Sequence, residues 1–133
     1  MSPRGLFSFR KEERIVGKSL VDRLFRGGES RSMSSYPLRA VYCLTECGES
    51  DAPVRMMVSV PKRYFKHAVD RNRIKRQVRE AYRHNKSLLW DAMQSHEGES
   101  LAVAFIWLDN HHRGSEKVEE RMVGLLQRIS EKL

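Results

Sequence analysis

Two periods alternate along this chain. Leu20, Val21, Leu24 and Phe25 recur at helical spacing behind Ser19, which can cap a helix, and Gly27-Gly28 stops the run. The Ser-rich stretch Glu29 to Ser35 reads as a lead-in to a strand. From Tyr36 to Thr45 the period becomes two, with Tyr36, Leu38, Ala40, Tyr42 and Leu44 alternating with Arg39, Val41, Cys43 and Thr45. The polar loop Glu46 to Pro53, which holds Gly48, suits a hairpin connection. Val54, Met56, Val58 and Val60 then share one face of a second strand, which Pro61 ends. Helical spacing returns at Ile74, Val78, Ala81 and Tyr82, extended by Leu88 and Leu89. After a loop from Gln94 to Ser100 with Gly98, Leu101 to Leu108 is apolar throughout, as in a strand buried on both faces. A turn from Asp109 to Gly114 leads to Ser115, which can cap a last helix. That helix carries Val118, Met122, Leu125, Leu126, Ile129 and Leu133, with Glu116, Glu119 and Glu120 near its positive end. The order helix, strands, helix, strand, helix predicts a single α+β or α/β sandwich.

Length and composition narrow the class. The chain has 133 residues, 40% hydrophobic and 32% charged, which predicts one domain over 1–133 with its own core. Residues 1–17 read as a basic-apolar arm containing Phe7 and Phe9. No stretch approaches the roughly 18 apolar residues of a membrane span. Arg10, Lys11, Glu12, Glu13 and Arg14 have no apolar run behind them, unlike a secretory signal. Cys43 and Cys47 make no disulfide framework, so the expected compartment is the reducing cytoplasm.

Charge changes the picture most. Ten Lys/Arg and only two acids, Asp70 and Glu80, lie between Lys62 and Lys86, an excess of +8 that equals the net charge of the whole chain. The rest of the sequence balances. On a helix, Asn72, Arg76, Arg79 and Arg83 fall on the side opposite the apolar stripe, flanked by Lys75 and Lys86. Asp70 lies near the start, where a carboxylate favours the helix dipole. A solvated charged face is the ordinary explanation of such a helix. Here almost no acids relieve the self-repulsion, and planar guanidinium forks suit phosphate. RNA or DNA is the expected partner.

Other chemistries lack their constellations. The five histidines are scattered, and His111-His112 falls in a turn. Cys43 and Cys47 have no second pair to complete a zinc site, and read as a buried and a loop cysteine. No P-loop and no G-x-S-x-G elbow occur. The acids lie mostly in the first and last thirds, away from the cationic face, which fits poorly with a nuclease binding metal through its own carboxylates.

Residues 58 to 83, VSVPKRYFKHAVDRNRIKRQVREAYR, resemble the protein subunits of bacterial ribonuclease P. The family pattern A-V-x-R-N-R-I-K-R-x-x-R-E is matched by Ala68, Val69, Arg71, Asn72, Arg73, Ile74, Lys75, Arg76, Arg79 and Glu80. Arg14-Ile15, and Leu24-Phe25 followed by Gly27, resemble the family's first helical region. The resemblance implies an α-β-β-β-α-β-α, ribosomal-protein-like sandwich. Its Arg-rich helix would join two parallel strands by a left-handed crossover, against the general preference for right-handed ones. It also implies a chain without catalytic residues of its own, which assists a catalytic RNA in removing the 5′ leader of precursor tRNA. The RNA-binding residues carried over are Arg71, Asn72, Arg73, Lys75, Arg76, Arg79 and Arg83, with Lys62 and Arg63 in the preceding loop. Phe25 and Tyr42 take the positions of aromatics in the leader cleft, and a register two residues earlier would bring up Tyr36. The family's aromatic one turn before Leu24-Phe25 is replaced here by Leu20 and Val21, a gap Phe7 or Phe9 could fill. Divalent metal, magnesium, is expected through the RNA and not through protein ligands; no protein oligomer and no membrane are implied. The alternatives are a non-enzymatic RNA-binding module, such as a ribosomal or assembly protein, and a DNA reader using the Arg-rich helix.

Overall fold

The computed structural model describes residues 13–15, 18–26, 28–46 and 52–133. The arm with Phe7 and Phe9, the side chain of Ser19, Gly27, Cys47 and Gly48 lie outside the described residues. In chain order the elements are α1 (Lys18–Arg26), β1 (Arg31–Ser35), β2 (Leu38–Glu46), β3 (Val54–Ser59), α2 (Ala68–Asn85), α3 (Ser87–Ala92), β4 (Glu99–Trp107) and α4 (Ser115–Lys132). One turn of 3-10 helix, Met93–Ser95, precedes β4.

The four strands form one mixed sheet in the order β1-β2-β4-β3. β2 is antiparallel to β1 and β4, while β3 runs parallel to β4, with Met56 opposite Val103. Parallel neighbours need a crossover, and α2 supplies it. This is the α+β architecture expected, with α3 as an added element.

The continuous apolar run of β4 is explained by its two faces. Leu101, Val103, Phe105 and Trp107 point into the main core, with Leu38, Ala40 and Tyr42 of β2 and Val54, Met56 and Val58 of β3. Ile74, Val78, Ala81 and Tyr82 of α2 and Val118, Met122, Leu125, Leu126 and Ile129 of α4 close that core from above. Fully burying each such aliphatic side chain contributes about 1.5–3 kcal/mol. On the opposite face Ala102 and Ala104 are small, which lets α1 seat Leu24 beside Cys43 and Ile15. Large residues thus face two long helices, and the small Ala102 and Ala104 lie beneath the single short helix.

Three expectations need correction. The Ser-rich stretch holds a strand: β1 pairs from Arg31 opposite Tyr42 to Ser35 opposite Leu38. It is an edge strand whose apolar contribution is Met33 alone, so backbone hydrogen bonds and not hydrophobic period define it. β2 starts two residues later than predicted, because Tyr36-Pro37 forms the turn between β1 and β2. Finally, the basic helix stops at Asn85, and the Lys86 carbonyl accepts the N–H groups of Leu89 and Trp90 at 3.0 Å each to start α3. Lys86 therefore leaves the cationic face: its side chain is buried against Glu13.

Candidate nucleic-acid interface

The apolar stripe of α2 fixes which of its side chains face solvent. With Ile74, Val78, Ala81 and Tyr82 in the core, Asn72, Arg76, Arg79 and Arg83 must project outward, and they line a recess of about 540 Å³ together with Glu80 and Arg14. Arg14 arrives from a segment 58 residues before Asn72 in the sequence. Its neighbours Glu13 and Ile15 are buried, and the backbone at Arg14 bridges Met56 along the free edge of β3. Partial burial first, and the Arg14 charge second, hold the Arg79 guanidinium below its ordinary pKa. Cations are thus crowded in the recess, and a phosphate would relieve that repulsion.

The other basic residues are not equivalent. Arg83 is held by Glu80 in a forked pair, Nε to Oε2 at 2.9 Å and Nη2 to Oε1 at 2.8 Å. Arg71 turns back and donates from Nη1 to the carbonyls of Phe65 (3.0 Å) and Lys66 (2.7 Å), bracing the loop before α2. In that loop Lys62, Arg63 and Lys66 are exposed, and Arg63 stacks over the Tyr64 ring at 4.9 Å. Arg73 lies on the side of α2 that faces α4, in a groove shared with Glu80, Glu116 and Glu119. Lys75 is half-buried. Val69, in the first turn of α2, is exposed beside this surface.

A second basic surface lies across the sheet. Phe25, 44% exposed at the end of α1, borders a shallow recess of about 240 Å³ with Val41, Ile106, Arg31 and Arg39. Gly28 makes the turn that ends α1, with a φ of 76° that favours glycine, and Ser30 Oγ donates to the Leu24 carbonyl at 2.6 Å. Tyr42 does not join Phe25. Its side chain is 5% exposed and packs in the main core, on the other face of β2 from Val41. Tyr36 is exposed in the β1–β2 turn, close to Asp109, and also lies away from that recess.

Comparison with known proteins decides the family. A family model described as Ribonuclease P matches residues 9–129. The chain belongs to the ribonuclease P protein family. The ribonuclease P protein component of Porphyromonas gingivalis is 38% identical over 130 residues, covering 98% of this chain and 92% of that protein. The component from Nitrosococcus oceani is 29% identical, covering 94% and 97%. Among solved structures, the ribonuclease P protein of Staphylococcus aureus superposes with a TM-score of 0.62 at 19% identity, over 88% of this chain and 94% of that one. The Thermotoga maritima protein gives 0.61 at 21%, over 87% and 96%. This chain is accordingly the protein subunit of ribonuclease P, the ribonucleoprotein endoribonuclease that processes the 5′ end of precursor tRNA. Family membership implies association with the ribonuclease P RNA.

Against that function, the residues missed by sequence reasoning stand out. Arg14 lies outside the basic segment and enters the recess only because residues 13–15 extend the sheet edge. Arg31 and Arg39 sit in segments with no charge excess, and both line the recess beside Phe25, where sheet pairing sets Arg39 opposite Ile106. The structure alternates buried, exposed and buried at Glu13, Arg14 and Ile15, but the sequence carries no sign of it, because a charged residue occupies a buried position. Among the described residues no helix is long and apolar enough to cross a membrane.

Proposed function

We propose that this ribonuclease P protein presents two RNA-binding surfaces on opposite sides of its sheet. The outer face of α2 and the loop before it meet the ribonuclease P RNA, through Asn72, Arg76 and Arg79 with Lys62, Arg63, Arg73 and Lys75 around them. Arg71 and Arg83 support that face from within, one bracing the loop and the other paired to Glu80. The α1 face takes the unpaired leader of precursor tRNA, with Phe25 as the stacking surface and Arg31 and Arg39 beside it for backbone charge. The observation that carries the reading is the crowding of Arg14, Asn72, Arg76 and Arg79 into one solvent-facing recess, with like charges close enough to perturb each other.

Phosphodiester cleavage needs divalent metal at the scissile phosphate. Among the described residues no three His, Cys, Asp or Glu side chains converge as a ligand set, and the two acids of the basic segment, Asp70 and Glu80, face His112 and Arg83. On this reading the metal is held by the RNA, and this chain supplies cations and a stacking surface. On this reading the protein also acts in the cytoplasm, together with its RNA partners. The test is binding of precursor and mature tRNA by the assembled holoenzyme carrying Phe25→Ala. Stacking is worth about 1–3 kcal/mol per base, so precursor affinity should fall about fivefold or more while mature tRNA, which has no leader, is unchanged. Equal weakening of both ligands would remove Phe25 from the leader surface.

A further inference from the structure

An ion pair buried on both sides joins two distant parts of the chain. Lys86 Nζ lies 2.8 Å from Glu13 Oε1, each side chain is 2% exposed, and the ammonium also sits 4.7 Å from the centre of the Trp90 ring. Two residues further along, the Ile15 N–H donates to the Met56 carbonyl at 3.0 Å. Between these anchors Arg14 is exposed and borders the recess with Arg76 and Arg79.

Desolvating two charges is costly, and a buried pair of this kind often adds no net stability over an apolar pair of the same volume. What it does impose is register. In an extended segment successive side chains point to opposite faces, so a slip of one residue would turn Arg14 inward and bring Glu13 or Ile15 to the recess. A carboxylate there would repel phosphate. Only one register places the carboxylate against Lys86 and the guanidinium against Arg79.

We propose that Arg14 is a phosphate-binding residue of the α2 recess, and that Glu13 and Lys86 are the positioning pair that holds it there. The proposal rests on the reading of that recess as an RNA-binding surface. It makes the recess a two-part site, one wall from the basic helix and one from the strand-like segment before α1. The partner chemistry is an RNA backbone phosphate bridged by guanidinium groups from both walls.

The test is a salt series of equilibrium binding between the full-length protein and ribonuclease P RNA, with melting transitions on the same preparations. Arg14→Ala should reduce the log–log salt slope by about 0.7–0.9, so that affinity lost between 50 and 200 mM salt shrinks about threefold. Arg79→Ala should do the same. A slope unchanged by Arg14→Ala but reduced by Arg79→Ala overturns the proposal and leaves the recess standing as an RNA site; unchanged slopes in both remove the recess itself. Positioning is read from a double-mutant cycle. Glu13→Gln should weaken RNA binding in the parent protein and have no further effect in the Arg14→Ala background. Equal weakening in both backgrounds means the pair is only structural. If Glu13→Gln melts the protein, Glu13→Leu with Lys86→Met removes both charges without leaving one buried, and parent-like RNA affinity in that variant overturns the positioning role.

Discussion

Arg71, Arg76, Arg79 and Arg83 carry the same charge, yet their surroundings give them different work. Arg71 braces loop carbonyls and Arg83 pairs with Glu80, whereas Arg76 and Arg79 face the recess. A comparable internal use of charge occurs at Asp109, which is buried in the turn after β4 and accepts bonds from Arg113 and His111. Burial opposes its ionisation, but the bonds from Arg113, His111 and Tyr36 more than offset it, so the carboxyl titrates below its ordinary value of 3.8. A depressed folded-state pKa stabilises the protein fully above the unfolded value, and the contribution is lost as pH falls through the folded one. Asp109→Asn should therefore cost about 1–3 kcal/mol near neutral pH, and the difference from the parent should shrink below pH 3.8. Denaturant midpoints measured at pH 7 and at pH 2.5 check this; an equal loss at both would mean that packing, not charge, holds the turn.

At the scale of elements, α2 is amphipathic in the ordinary way, and the same geometry that buries Tyr82 over Phe105 aims the arginines outward. Arg76→Ala together with Arg79→Ala should lower the log–log salt slope for ribonuclease P RNA by about 1.4–1.8. The melting transition should stay close to that of the parent, because neither side chain belongs to the core. A folded double variant with the parent slope would leave α2 as a solvated face. The short α1 works differently. Leu24 is buried against Ala104 while its neighbour Phe25 stays half out of the protein, so a residue of core type is left available at a basic surface.

For the whole molecule, the sheet separates two basic surfaces, one over α2 and one beside α1, and under the proposed function a single chain would touch the RNA subunit and the leader of its substrate at once. The protein should cleave precursor tRNA at the mature 5′ end only when ribonuclease P RNA is added. Single-turnover cleavage with and without that RNA, in magnesium, checks the division of labour; cleavage by the protein alone would overturn it.

The periodicity of α2, β3 and α4 is legible because each buries one stripe or face, and β4 is legible as an unbroken apolar run because it buries both. The confinement of charge to residues 62–86 and the ordered motif from Ala68 to Glu80 pointed to the partner and the family for the same reason: both are local in sequence. β1 is not legible in the sequence, because an edge strand is held by backbone bonds that serines make as well as valines. Lys86 has the sequence context of a surface cation, and only a carboxylate 73 residues away in the chain draws it inside. The separation of Phe25 from Tyr42 depended on which face of β2 each approaches, which strand pairing sets and alternation on a doubly buried strand cannot. Sequence determined the elements, the basic helix and the family. Tertiary structure decided which cations line the recess and which are turned to other groups, because that depends on partners brought close only by folding.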